Sequence, residues 1–359
     1  MIKVLHVMGR MAPGGTEHQL VGMLAAAHQR HWQASLCVLS GCWELSKRLR
    51  AAKVPVLELN GAGRFDPRSL SRLRRLASEV DVVHASLPRT NLLSRFVNIG
   101  PQRPALVISE RGVEPEVSQR MALVNRLLNP ITDAYIGNSP AVVSHIRSAH
   151  GVADVDSRVV QIPNGIDTAI FHPGPRSAPN GTSRLKLVAV GRLVASKRFD
   201  FAISLVRQLI DVSNVELSLV GDGPERDKLR KLARGLPVVF LGHVADRKRL
   251  AEILRSSDVL LMPSASEGYP NVVLEAIACG LPAVASNIPG IRPASGPGVT
   301  LVGDDGQEWG QAIVSAWRQG PIPEPILTNR VLSFDEVARR HLLVFEEALR
   351  RDKGRVGRV

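Results

Sequence analysis

The chain has 359 residues, 44% of them hydrophobic and 22% charged, with 46 Lys and Arg against 33 Asp and Glu for a formal net charge of +13. That balance fits a soluble globular protein of about two domains and excludes a disordered chain; no stretch reaches the ~18 uninterrupted apolar residues of a membrane span. The basic excess favours polyanions such as a nucleotide or an anionic membrane face, whereas 4% aromatic residues are too few for base-stacking platforms and argue against nucleic acid as a partner.

Residues 2–9, Ile-Lys-Val-Leu-His-Val-Met-Gly, read as a buried strand. Pro13-Gly14-Gly15 makes a turn, and residues 16–27 read as a helix. The opening lacks the longer apolar region of a secretory signal. Strands follow at 34–40, 54–59, 81–86, 105–110 and 134–139, with helices at 68–80, 88–99 and 140–151. Such alternation implies a parallel sheet wrapped by helices. Three prolines and two glycines within residues 172–184 mark a linker. The rhythm then resumes, with strands at 185–191, 215–221, 238–242, 258–264 and 282–286 and helices at 196–210, 247–257 and 270–279. A last helix runs from 333 to 350, opened by a capping box of Ser333 with Glu336. The expected domains are 1–170 and 171–332. Cys37, Cys42 and Cys279 form neither a disulfide framework nor a zinc set, which suits a reducing cytoplasm.

Open α/β sheets bind ligands beyond the C-terminal ends of their strands, so the residues there carry the chemistry. After the strand at 258–264 comes Glu267-Gly268-Tyr269-Pro270-Asn271-Val272-Val273-Leu274-Glu275. Pro270 suits a first helical turn, and the amides of residues 268–272 make an anion site, with Gly268 allowing close approach. Glu267 and Glu275 suit sugar hydroxyls; read without context, they are a capping acid and a solvated helix acid. Arg192 and Lys197 follow the strand at 185–191 and suit a diphosphate, although the Walker A spacing is absent. Gly14-Gly15-Thr16-Glu17 brings backbone near a ligand but lacks the dinucleotide fingerprint. Gly221-Asp222-Gly223-Pro224 and Asn164-Gly165 read as turns. His84 stands at a strand end as a candidate catalytic donor or base, although a lone histidine is more often structural; Glu110, a further candidate catalytic residue, and Arg111 end another strand. No His, Cys and acidic cluster has metal spacing, so no tightly bound metal and no cofactor are expected.

Taken together, Glu267-Gly268-Tyr269-Pro270-Asn271-Val272-Val273-Leu274-Glu275-Ala276, Gly191-Arg192-Leu193 with Lys197, Gly221-Asp222-Gly223-Pro224, Pro163-Asn164-Gly165-Ile166-Asp167 and Gly14-Gly15-Thr16-Glu17 resemble the family 4 glycosyltransferases in order and spacing. The resemblance implies the GT-B architecture: two Rossmann-like, doubly wound domains facing across a cleft, the C-terminal helix 333–350 returning to the first. It also implies metal-independent transfer with retention from a nucleotide diphosphate sugar, UDP favoured over GDP, to a glycan or polyprenyl-linked acceptor in polysaccharide assembly. By position, Arg192 and Lys197 neutralise the diphosphate, Glu267 and the segment Gly268, Tyr269, Pro270, Asn271 and Val272 with its N–H groups hold sugar and phosphate, Glu275 takes the ribose, and Gly14 and Gly15 approach the phosphates. Many members carry a His where this chain has Ser109-Glu110-Arg111-Gly112, a version resembling bacterial enzymes acting on lipid-linked oligosaccharides. Arg64, Arg68, Arg72, Arg74 and Arg75 with Leu70, Leu73 and Leu76 make a basic amphipathic stretch that suits an anionic bilayer, hence peripheral attachment at the inner face of the cytoplasmic membrane. The same fold also serves nucleotide-sugar epimerases, pyridoxal-phosphate phosphorylases and binding proteins without turnover.

Overall fold

The computed structural model describes residues 1–11, 14–39, 41, 45–59, 66–100, 103–112, 118–174, 184–210, 214–324 and 331–356, without the side chains of 45–46 and 353–356. Pro13, Cys42, Arg64 and most of the expected linker lie outside them. The chain divides into two compact units, Met1–Gly165 with Leu332–Val359, and Ile166–Val331. The first boundary falls five residues before the expected 170/171. Gly165 belongs to the first unit because the Gln19 amide clamps it, Nε2 donating to the Gly165 carbonyl at 2.9 Å and Oε1 accepting from its N–H at 2.8 Å.

In the first unit β1 (Lys3–Met8), β2 (Gln33–Val38), β3 (Val56–Glu58), β4 (Val82–Ser86), β5 (Ala105–Glu110), β6 (Ala134–Gly137) and β7 (Val159–Gln161) form one sheet in the order β3-β2-β1-β4-β5-β6-β7. Every pairing is parallel, His6 lying beside His84 where β1 meets β4. Helices α1 (Gly15–Ala27), α2 (Leu45–Ala51), α3 (Pro67–Ser78), α4 (Pro88–Val97), α5 (Gln119–Leu127) and α6 (Pro140–His150) connect the strands. Local chemistry sets their ends. Asp66 caps α3 by accepting from the Arg68 N–H, and Ser139 caps α6 while Gly151, at φ +63°, closes it.

Two apolar clusters cover this sheet. Leu20, Leu24 and Trp32 pack with Val337, Ala338 and Phe345 of the C-terminal helix, Phe334–Val356. Leu73, Leu93, Val142 and Ile146 bring α3, α4 and α6 into the other cluster. Each fully buried side chain of this size contributes roughly 1.5–3 kcal/mol. Only half of the expected capping box forms. Ser333 Oγ accepts from the Glu336 N–H at 3.2 Å, but the Glu336 carboxylate turns to Arg339 and Arg340, which hold its pKa down to about 2.

A two-residue strand, β8 (Gly165–Ile166), spans the division. The second unit contains β9 (Leu185–Val190), β10 (Val215–Val220), β11 (Val238–Gly242), β12 (Val259–Met262), β13 (Ala283–Ser286) and β14 (Val299–Val302), ordered β11-β10-β9-β12-β13-β14 and parallel throughout. α7 (Phe199–Leu209), α8 (Arg226–Leu232) and α11 (Gly306–Gln319) supply Ile203, Leu229 and Ile313 to one cluster. α9 (Arg247–Arg255) and α10 (Asn271–Ala278) supply Leu250, Leu254, Val273 and Ile277 to the other. Strand order reverses between β1 and β4 in the first unit and between β9 and β12 in the second. Those two switch points are where doubly wound sheets open a ligand crevice. Among the described residues, no helix is long and apolar enough to cross a membrane.

Candidate functional site

In the second unit the candidate residues converge on the β9/β12 switch point. Beyond β9, Lys197 ends the 3-10 turn Ala195–Lys197, and the next residue, Arg198, takes φ +51°. Beyond β12, the Ala265 N–H donates to the Ser196 carbonyl at 2.8 Å and ties the two loops together. The tie brings Lys197 Nζ onto Glu267 Oε1 as a partly buried, hydrogen-bonded ion pair. Gly290 stands directly behind Glu267; a Cβ there would fall on the Glu267 carbonyl.

The Gly221-Asp222-Gly223 segment does more than turn the chain. Gly221 has φ +139°, a Cβ on it would fall on the Gly191 carbonyl, and one on Gly223 would fall on Leu193. The Leu193 N–H donates to the Asp222 carbonyl at 3.0 Å and the Glu225 N–H to the Leu193 carbonyl at 3.0 Å. These contacts shape the loop that presents Arg192, which is exposed and makes no ion pair among the described residues.

Helix α10 begins at Asn271. Pro270, expected inside the first turn, is instead the cap residue, and it makes no side-chain cap. The Val273 N–H reaches back to the Pro270 carbonyl at 3.2 Å. Gly268, Tyr269, Asn271 and Val272 are all half-buried around this end, and Tyr269 packs on the apolar cluster. A helix N-terminus beside a lysine is a favourable place for an anion. Glu275, one turn in, is 5% exposed and accepts from Arg247 Nη2. The Arg247 guanidinium lies 4.8 Å from the Phe171 ring centre. The sequence reading did not find Arg247, Phe171 or Gly290.

In the first unit, Gly14 caps α1 in extended conformation and Gly15 opens the helix. The Glu17 side chain folds back beside Gly14, where a Cβ would strike its carboxylate. Burial raises the Glu17 pKa, and a bond from its own N–H partly offsets this. His84 is not presented at a strand end, because β4 runs on to Ser86 and the ring is buried. Trp32 Nε1 donates to His6 Nε2 at 3.2 Å, so His6 Nδ1–H donates to His84 Nδ1 at 2.9 Å. His84 Nε2–H then donates to Ser109 Oγ at 2.6 Å. Burial, then His6, His341 and Arg111, push the His84 pKa well below 6.5, so this ring is a neutral core group. Neighbouring His341 donates Nδ1–H to the Val337 carbonyl at 2.8 Å, and its buried Nε2 has no partner among the described residues.

Glu110 also turns inward. His150 Nε2–H donates to Glu110 Oε1 at 2.7 Å, and His150 Nδ1 accepts from Arg95 Nη2 at 3.0 Å. Buried Arg95 further donates to Thr132, Asn125 and Tyr135. Arg111 Nη1 donates to Asn164 Oδ1 at 2.8 Å, and burial lowers its pKa to about 10. Asn164 is thus a buried acceptor rather than a turn residue. No group of three or more His, Cys, Asp or Glu among the described residues could hold a metal. The sequence does contain one Asp-x-Asp pair, Asp154 and Asp156, but Asp156 is committed to Arg158 and the Asp154 side chain is 98% exposed.

Residues 13–170 match the family described as Glycosyltransferase Family 4, and residues 184–319 match Glycosyl transferases group 1. The chain belongs to the family 4 glycosyltransferases. A GDP-mannose-dependent α-(1-6)-phosphatidylinositol dimannoside mannosyltransferase of Mycobacterium tuberculosis is 37% identical over 136 residues, 36% of each chain. A sulfoquinovosyl transferase of Arabidopsis thaliana is 30% identical over 258 residues, 65% of this chain and 49% of its own. The matched stretches thus span about a third to a half of these relatives' lengths. Among solved structures, the Anabaena protein HepE in complex with UDP and glucose superposes with a TM-score of 0.80 at 21% identity, covering 96% of this chain and 100% of that one. The two doubly wound units are those of a GT-B glycosyltransferase.

Proposed function

We propose that the protein transfers a sugar from a nucleotide diphosphate donor, a UDP-sugar rather than a GDP-sugar, to a glycan or lipid-linked acceptor, with retention and without a metal ion. The observation that carries this reading is the Lys197–Glu267 pair beside the α10 N-terminus at the β9/β12 switch point. Lys197, Arg192 and the helix end supply positive potential where a diphosphate leaving group gains charge. Losing one such donor costs ~3–4 kcal/mol of barrier lowering. Glu267 takes hydroxyls of the transferred sugar once the phosphate draws Lys197 away, and Glu275 takes those of the ribose. Transfer on one face, with the leaving phosphate receiving the acceptor proton, needs no carboxylate nucleophile and accords with family 4 chemistry. The named ligands of HepE favour UDP, whereas the Mycobacterium relative is named for GDP-mannose.

Attachment to the inner face of the cytoplasmic membrane is supported by the first unit. Helices α3, α4 and α5 carry Arg68, Arg72, Arg74, Arg75, Arg89, Arg120 and Arg126 besides the buried Arg95, and no Asp or Glu. Phe96, Ile99, Met121, Leu123 and Leu127 are exposed on or beside α4 and α5, Leu127 by 70%. Apolar side chains among arginines suit an anionic bilayer surface. Cys37 and Cys279, both buried and outside any disulfide, accord with a cytoplasmic protein.

A thermal-shift panel of nucleotide diphosphates and their sugars in EDTA tests the donor reading. A ligand at 100 times its Kd adds about 2.7 kcal/mol, so the right donor stands out, and binding that requires magnesium or manganese overturns metal independence. Co-sedimentation with anionic liposomes at low salt tests attachment; protein left in the supernatant overturns it.

A further inference from the structure

We propose that Arg247 is a positioning residue for the donor nucleoside: it aims the Glu275 carboxylate at the ribose diol. This inference rests on the donor-site reading above. Arg247 is the first residue of α9, fixed there by the Asp246 cap, whose Oδ1 accepts from the Lys248 N–H at 2.9 Å. One face of its guanidinium lies against Phe171, which is itself buried in the cluster beneath α9 and α10. Its Nη2 holds Glu275 Oε1, and Glu275 Oε2 takes no bond from any described residue. The arginine is therefore anchored by its own helix start, by an aromatic ring and by the carboxylate it orients.

The arrangement has two consequences. A carboxylate only 5% exposed needs a fixed partner in its surroundings, which the Arg247 guanidinium supplies, and its oxygens are the acceptors that two hydroxyls require. Holding Oε1 also removes side-chain freedom that ribose binding would otherwise have to freeze. Arg247 does this without reaching the phosphates, which fall to Lys197 and the α10 end.

The test is calorimetric binding of UDP, 2′,3′-dideoxy-UDP, the corresponding GDP pair and inorganic pyrophosphate to the full chain. Wild type should prefer a ribonucleotide over its dideoxy form by about tenfold or more, as for hydrogen bonds to a charged group. Arg247→Met should reduce that preference to about threefold or less while leaving pyrophosphate affinity unchanged. Arg247→Lys, which keeps the charge, should restore most of it. Where Arg247→Met does not fold, Arg247→Lys and Arg247→Met combined with Glu275→Gln carry the comparison; the latter pair should lack the preference. Full ribose discrimination in Arg247→Met, or a parallel loss of pyrophosphate affinity, overturns the positioning role. Wild type that binds UDP or GDP without discriminating the dideoxy forms overturns the ribose role of Glu275 and this inference with it. Wild type that binds none of the probes overturns the donor-site reading itself.

Discussion

Lys197 and Glu267, 70 residues apart in sequence, neutralise each other across the β9/β12 switch point. The lysine is therefore not idle before a phosphate arrives; an anion must displace an internal carboxylate. We expect Lys197→Ala to weaken UDP or GDP binding by about 2–3 kcal/mol, the scale of one charge-assisted hydrogen bond. Glu267→Gln should act in the opposite direction on the free diphosphate, tightening it by releasing the lysine, while weakening the sugar conjugate relative to it. Titration calorimetry with both ligands checks the two signs; equal weakening of both by Glu267→Gln removes Glu267 from the sugar.

Gly290 should be intolerant of any side chain. Its Cβ would land on the Glu267 backbone, so Gly290→Ala must push that loop away from the Ser196 tie. We expect a loss of about 1–3 kcal/mol in stability, read as a lower Tm, together with loss of the preference for sugar conjugate over free nucleotide. An unchanged Tm would mean that the loop yields without cost.

Acid should destabilise the first unit through its histidines. Burial holds His6 and His341 near pKa 3 and His84 well below 6.5. The unfolded chain takes up protons below pH 6.5 that these folded rings refuse. The contribution of His6 and His341 is thus full above pH 6.5 and is lost as the pH falls toward about 3, and His84 adds in the same direction. Melting curves between pH 7.5 and 4.5 should show this slope, and His341→Leu, which removes an unpartnered buried nitrogen, should make it shallower.

Glu110 separates a structural role from a catalytic one. Its carboxylate balances buried Arg95 through His150, so Glu110→Gln should cost about 3 kcal/mol of stability by leaving the cation uncompensated. Turnover measured well below the Tm should fall little. A large fall in kcat with unchanged stability would return Glu110 to the catalytic group.

The alternation of strands and helices was legible because fully buried parallel strands are continuous apolar runs, as in β1 and β9, and because residues such as Ser139 and Gly151 punctuate helices. The three-residue strand β7 carries too short a pattern to read, whereas β3, equally short, lies within the apolar run 54–59. The strand order was not legible, since it follows from how crossovers pack. His84 misled for a related reason: the sequence gives its position in a strand but not that His6 and Ser109 flank it on the neighbouring strands. Lys197 and Glu267 could be picked out separately, but their pairing depends on the Ala265–Ser196 tie. Arg247 gave no local signal, because its meaning lies in Glu275 and Phe171, each distant in sequence.

The first unit is assembled from both ends of the chain, with Val337, Val344 and Phe345 completing the cluster begun by Val4 and Leu24. During synthesis on the ribosome, the second unit emerges whole while the first still waits for its closing helix. Apolar surface on β1 and α1 must stay uncovered over that interval. A chaperone that shields nascent chains should therefore engage the early segments and be released only when the final helix leaves the exit tunnel.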